Sequence, residues 1–150
     1  MTKVLAIETS CDETAASVVS NKKGIYTINS NVVASQIKDH SKWGGVVPEL
    51  AARKHLELIH FVIAEAIEVA DVNYQEIDAI ASTVAPGLVG SLRIGSVAAR
   101  TLCAFYSKPF LGIHHLEGHL SSILFSENPP KPPFIAVSYT HLRAHETSTH

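Results

Sequence analysis

Cysteine is scarce in this 150-residue chain: there are two, Cys11 and Cys103, and no CxxC pair. That excludes a disulfide framework and fits a reducing compartment. Long apolar runs are absent as well. No window reaches about 18 uncharged apolar residues, so a transmembrane helix is not expected. The opening "MTKVLAIETSCDE" has only Val4–Ile7 as an apolar run before Glu8, too short for a signal peptide. The cytoplasm is the expected location. An excess of positive charge is missing too, since the net charge is −2. Any nucleic acid would have to be held by a local patch or a partner protein, not by the bulk field.

What is present is an ordinary globular composition, 46% hydrophobic and 17% charged. The length suits one domain burying about 70% of its unfolded surface. The pattern predicts strands over 3–10, 14–20 and 26–37, with a hairpin turn in "NKKGI" (21–25). A polar loop, 39–49, leads to a helix over 48–70 opened by Pro48. Leu56, Ile59, Ile63, Ile67 and Ala70 form its expected buried face, with Glu49–Arg53 and Arg53–Glu57 as i, i+4 pairs. A strand over 77–87, a helix over 91–107, a strand over 108–114 and a helix over 116–126 follow. A loop over 128–133 and a strand over 134–137 close the pattern. Three meander strands followed by alternating helix and strand read as an α/β domain with a mixed sheet.

The segment "SYTHLRAHETSTH" (138–150) breaks the pattern: it holds three of the nine histidines and has no period. The domain is expected to span 1–137, with 138–150 disordered or non-native, as after a frameshift.

Four stretches carry candidate chemistry, of which "GGVVPELAARKH" (44–55), with Glu49, Arg53 and His55 beside a Gly-Gly bend, reads alone as a helix start with a solvated charged face. In "HHLEGHL" (114–120), His115 and His119 lie four apart, on one helix face. Such a pair can ligate Zn or Fe, or can be solvated histidines on an amphipathic helix. The zincin pattern places Glu directly after the first His. Glu117 is two residues on, roughly 200° around the helix, which disfavours a metallopeptidase. "ETSCDET" (8–14) gathers Glu8, Asp12 and Glu13 with three hydroxyls in one turn. It can cradle phosphate oxygens, or be a plain polar hairpin turn. "APGLVGSLRIG" (85–95) lacks both the P-loop and the Rossmann signatures. Its glycines can admit an anion at the helix start, or simply ease close helix packing.

Taken in order, "VLAIETSCDETAAS", "GGVVPELAARKHLE", "PGLVGSLRIG" and "HHLEGHL" closely resemble the N-terminal part of the TsaD family, from about residue 3 to 137. The family was once labelled a glycoprotease. The resemblance implies an actin-like ATPase fold of the ribonuclease-H-like type, shared by sugar kinases and Hsp70, here as a truncated N-terminal lobe. It implies tRNA modification: transfer of threonylcarbamoyl from threonylcarbamoyl-AMP to the adenosine beside the anticodon, in tRNAs reading codons that begin with A. By this resemblance, one divalent metal, Fe or Zn, has His115 and His119 among its ligands. The nucleotide, threonylcarbamoyl-AMP or ATP, meets Ser10, Asp12 and Glu13, and Asp12 and Glu13 are the catalytic candidates. Implied partners are tRNA, a TsaB-type sister subunit of the same fold and, in a bacterium, a small TsaE-type ATPase.

The sequence departs from the family after "PPFIAV", where a Ser-Gly-Gly-His-Thr turn is replaced by "SYTHLRAHE". By the resemblance, the second lobe and the aspartate completing the metal site are expected to lie outside these 150 residues. The 150 residues alone are therefore expected to be inactive. The other readings are a metal-dependent endopeptidase and a non-catalytic protein-binding lobe.

Overall fold

The computed structural model describes residues 1–126 and Pro130. The expected strand at 134–137 and the 138–150 tail lie outside the described residues. Five strands form one sheet in the order β3-β2-β1-β4-β5. The meander comprises β1 (Thr2–Glu8), β2 (Glu13–Lys22) and β3 (Ile25–Ser35), all antiparallel. A two-residue turn, Lys23–Gly24, joins β2 to β3 with both residues at positive φ, as a right-twisted hairpin prefers. β4 (Ala79–Ala85) then pairs parallel to β1, and β5 (Phe110–His114) parallel to β4. The mixed sheet of the sequence reading is thus the observed one.

Parallel neighbours require crossovers, and two helices supply them. After the short helix α1 (Ile37–His40), α2 (Pro48–Val69) links β3 to β4, and α3 (Val89–Tyr106) links β4 to β5. Both helices lie against one face of the sheet. Leu5, Ile7, Val18 and Ile80 from the strands meet Ile59, Val62, Ile63 and Ala66 of α2 there, all nearly inaccessible. The last elements, α4 (His115–Ser122) and a 3-10 turn at Ile123–Phe125, approach the opposite face. Between them and strands β1, β2 and β4 lies a cleft of ≈ 400 Å³.

Several local expectations need correction. The region 39–49 is not all loop: α1 and a 3-10 turn at Ser41–Trp43 occupy its first part. The buried row of α2 runs Ala51, His55, Ile59 and Ile63, and Leu56 is 63% exposed. Leu56 stands about 100° on from His55 around the helix, and His55 takes the inward place because polar partners await it there. Arg53 pairs with Glu49 at 2.6 Å, but Glu57 is taken by Lys54 at 3.2 Å and not by Arg53.

α3 buries a row of small residues, Ser91, Gly95, Ala99 and Cys103. Its reason is close approach. A Cβ on Gly95 would come within 2.4 Å of Thr9 Oγ1. Gly95 therefore serves close packing, and the helix that carries it presses on the turn after β1.

Candidate functional site

The stretch from Glu8 to Glu13 leaves the end of β1 and re-enters the sheet as β2. Its backbone is held by other elements through three successive carbonyls. The Ser10 carbonyl accepts from the Leu88 amide at 2.8 Å. The Cys11 carbonyl accepts from His55 Nε2 at 3.0 Å. The Asp12 carbonyl accepts from the Gln36 amide at 3.0 Å. Thr9 adds a fourth tie, its hydroxyl donating to the Ser91 carbonyl at 2.8 Å. Thr9, Ser10 and Thr14 are buried, so this polar turn is part of the packed structure.

His55 is the centre of a buried polar chain. Because a carbonyl can only accept, Nε2 carries the proton, and Nδ1 accepts from the Thr14 hydroxyl at 2.7 Å. Gln36 Nε2 lies 3.4 Å from the same Nδ1 and also 3.4 Å from the Ala51 carbonyl. His40 Nδ1 accepts from the Val47 amide at 3.2 Å, which leaves Nε2 to donate to Gln36 Oε1 at 3.1 Å. Burial pushes the His55 imidazole below its ordinary pKa, more strongly than the Cys11 carbonyl and the charges of Glu8 and Asp12 raise it. It is held neutral.

On the other side of the turn stand the two histidines. α4 begins at His115, directly after β5, so the parallel β4–β5 pairing carries His115 to the β1 end where the turn begins. His115 Nδ1 is 3.2 Å from Glu8 Oε2 and 3.2 Å from Ser10 Oγ. Its Nε2 is 3.0 Å from His119 Nε2, with the rings edge-on. Glu8 also accepts from the Ser10 amide and the Thr83 hydroxyl. Burial works to raise the Glu8 pKa, but the bonds from Ser10, Thr83 and His115 together outweigh it, and the carboxyl lies below its usual value.

Does this pair suit a metal ion? Two nitrogens each bound at about 2.0–2.1 Å stand about 3.0–3.4 Å apart at neighbouring coordination positions. The observed 3.0 Å falls in that range. Two positions are provided in this way. Among the described residues, no group of three or more His, Cys, Asp or Glu side chains is arranged to hold an ion.

The expected site residues therefore divide. Ser10, His115 and His119 come together. Asp12 is half-buried and Glu13 exposed. Among the described residues, no hydrogen bond joins either carboxylate to the histidines. His114 ends β5 and is exposed, as is Glu117. The carboxylate that does reach the histidines is Glu8, which the sequence reading counted in the turn but did not single out. The alternation along β1 was the available signal: Leu5 and Ile7 face the helices, so Glu8 faces the other side. His55 reads from the sequence as part of a solvated charged face with Glu49 and Arg53, and the structure instead buries it.

Comparison with known proteins agrees with the motif reading. Residues 27–140 match the family model described as TsaD, tRNA N6-adenosine threonylcarbamoyltransferase. A protein of that name from Prochlorococcus marinus (strain MIT 9515) is 75% identical over 137 residues, covering 91% of this chain and 38% of its own length. Its counterpart from strain NATL1A is 56% identical with the same coverage. The chain thus spans about two fifths of the curated relatives it matches. Among solved structures, YeaZ from Pseudomonas aeruginosa aligns with a TM-score of 0.55 at 20% identity, over 76% of this chain and 44% of that one. RuvC from T. thermophilus, in complex with Holliday junction substrate, aligns with a TM-score of 0.52 at 13% identity, over 88% and 84%. Both likenesses concern the fold, which is of the ribonuclease-H-like, actin-like type.

Proposed function

Because the chain belongs to the TsaD family of tRNA N6-adenosine threonylcarbamoyltransferases, we propose that it forms the N-terminal part of such an enzyme. The reaction is attack by the exocyclic N6 amine of a tRNA adenosine on the carbamoyl carbon of threonylcarbamoyl-AMP. A C–N bond forms, the C–O bond to the phosphate breaks, and AMP departs while N6 gives up one proton.

The observation that carries this reading is the convergence of the 8–13 turn with the histidine pair, in a chain 75% identical to a protein of that name. Three of the turn's carbonyls are tied away and the Ser10 amide is taken by Glu8, so the later amide N–H groups of the turn are the backbone dipoles offered to an anion such as the substrate phosphate. Ser10 lies between that turn and His115 and can orient a substrate oxygen. Asp12 and Glu13, free of structural ion pairs among the described residues, are the acids to position substrate and take the N6 proton. A divalent metal, Fe or Zn, held by His115 and His119 would supply Lewis-acid polarisation of the carbonyl.

The partners that follow are tRNA, a sister subunit of the same fold and a small ATPase. A tRNA substrate supports a cytoplasmic location. No described helix is long and apolar enough to cross a membrane.

The test is a transfer assay in an otherwise complete enzyme carrying residues 1–137 of this chain, with threonylcarbamoyl-AMP and unmodified tRNA. Nucleoside mass spectrometry reads the product. The expected outcome is threonylcarbamoyladenosine, lost on Glu13→Ala. Full transfer by the Glu13→Ala enzyme removes the proposed base. No product from the unsubstituted enzyme, where the Prochlorococcus relative yields it, refutes the function.

A further inference from the structure

The contact between Glu8 and His115 has no place in the transfer chemistry above. We propose that Glu8 is a positioning residue for His115. On this view its carboxylate holds the imidazole as the Nδ1–H tautomer and turns Nε2 toward His119, making the two Nε2 atoms a preformed pair for one divalent cation. This rests on the reading of His115 and His119 as metal ligands and adds the group that orients them.

The argument starts from hydrogen-bond capacity. An ionised carboxylate accepts and cannot donate. Glu8 Oε1 is turned to the Ser10 amide, and Oε2 receives the Thr83 hydroxyl and faces His115 Nδ1 at 3.2 Å. Those two other donors, one from the turn and one from β4, fix where the carboxylate sits. It cannot follow the histidine, so the histidine conforms to it. With its proton on Nδ1, His115 presents a bare lone pair at Nε2. That lone pair meets His119 Nε2 at 3.0 Å, so in the metal-free chain His119 carries its proton on Nε2 and donates it. Cation binding then requires His119 to lose the Nε2 proton to water and take one at Nδ1, with no change in net charge, and the two rings to turn their Nε2 lone pairs from each other toward the ion.

A carboxylate behind a ligating histidine fixes ring orientation and raises ligand basicity, and its loss commonly costs about 10–100-fold in metal affinity. Glu8→Gln keeps the shape, but its amide can present either an acceptor or a donor to Nδ1, so the tautomer is no longer dictated.

The experiment has two readouts on the full chain. Imidazole 15N spectra of the metal-free protein report the tautomer of His115, assigned by its loss in His115→Ala. Titration with Zn²⁺ against a chromophoric chelator reports affinity. The expected result is a single Nδ1–H tautomer in the unsubstituted chain and a mixture in Glu8→Gln, with Zn²⁺ bound about 10–100-fold more weakly. An unchanged tautomer, or affinity within about threefold of the unsubstituted chain, overturns the role of Glu8 and leaves the histidine pair standing. If the unsubstituted chain binds Zn²⁺ no better than His115→Ala or His119→Ala, the metal reading itself fails, and this inference with it.

Discussion

Replacing His55 with leucine tests the view that the 8–13 turn is held from beneath. Leucine keeps much of the volume, so packing loss is small and the effect is mostly polar. Two groups lose their partner: the Thr14 hydroxyl, wholly buried, and the Cys11 carbonyl. Among the described residues, the other donor to that carbonyl is Ser91 Oγ, at 3.5 Å. An unsatisfied buried group costs about 1–3 kcal/mol, so the pair should cost about 2–5 kcal/mol. For a chain of this size that lowers Tm by about 5–20 °C. Urea unfolding followed by circular dichroism measures it. The mechanism, and not only the size, is checked by adding Thr14→Val, which removes one of the two orphaned groups. The double variant should then be more stable than the sum of the single changes, by about 1–2 kcal/mol. A loss below about 1 kcal/mol for His55→Leu, or strict additivity, would refute the account of His55 as the turn's polar anchor.

Other expectations follow from the same geometry. Burial keeps His55 neutral in the folded chain, while the unfolded chain takes up its proton near pH 6.5. Stability from this group should be complete above that pH and decline as pH falls below it, and His55→Leu should flatten that part of the profile. Gly95→Ala forces a Cβ to within 2.4 Å of Thr9 Oγ1 and 3.3 Å of Ser82 Oγ, for an expected loss of about 1–3 kcal/mol in chemical unfolding. Adding Thr9→Ala should recover part of it, and no recovery would place the clash elsewhere. Thr83→Val removes a donor from Glu8, so the Glu8 carboxyl should titrate at higher pH, read by side-chain 13C shifts.

The strands and long helices were legible because apolar periodicity decides them. Even so, helix phase was misjudged by one residue at Leu56, since periodicity weighs apolar character and cannot see that Thr14 and Cys11 wait beneath His55. The same blindness affected the site. His115, His119 and Ser10, which the structure brings together, are named in the sequence through local motifs and the family resemblance. Glu8 meets His115 and His55 meets Thr14 across 107 and 41 positions, a relation no local spacing carries. Asp12 and Glu13 stood out as charges in a turn, yet the fold turns Glu8, at the strand's end, toward the histidines.

The ties on the 8–13 turn also say when it takes shape. Its partners are Gln36, His55, Leu88 and Ser91, so the anchoring bonds span up to 82 positions along the chain. The full set is in place only once β3 has paired and both crossover helices have docked. Contacts between residues far apart in sequence come late, because loop-closure entropy must be met first. The turn is therefore completed late: Thr9, whose hydroxyl bonds the Ser91 carbonyl, should show a φ-value near zero, while the hairpin of β2 and β3 shows higher ones. Destabilising the turn would then quicken unfolding and leave the folding rate nearly unchanged. The part of the molecule assigned to chemistry is the part the chain completes last and gives up first.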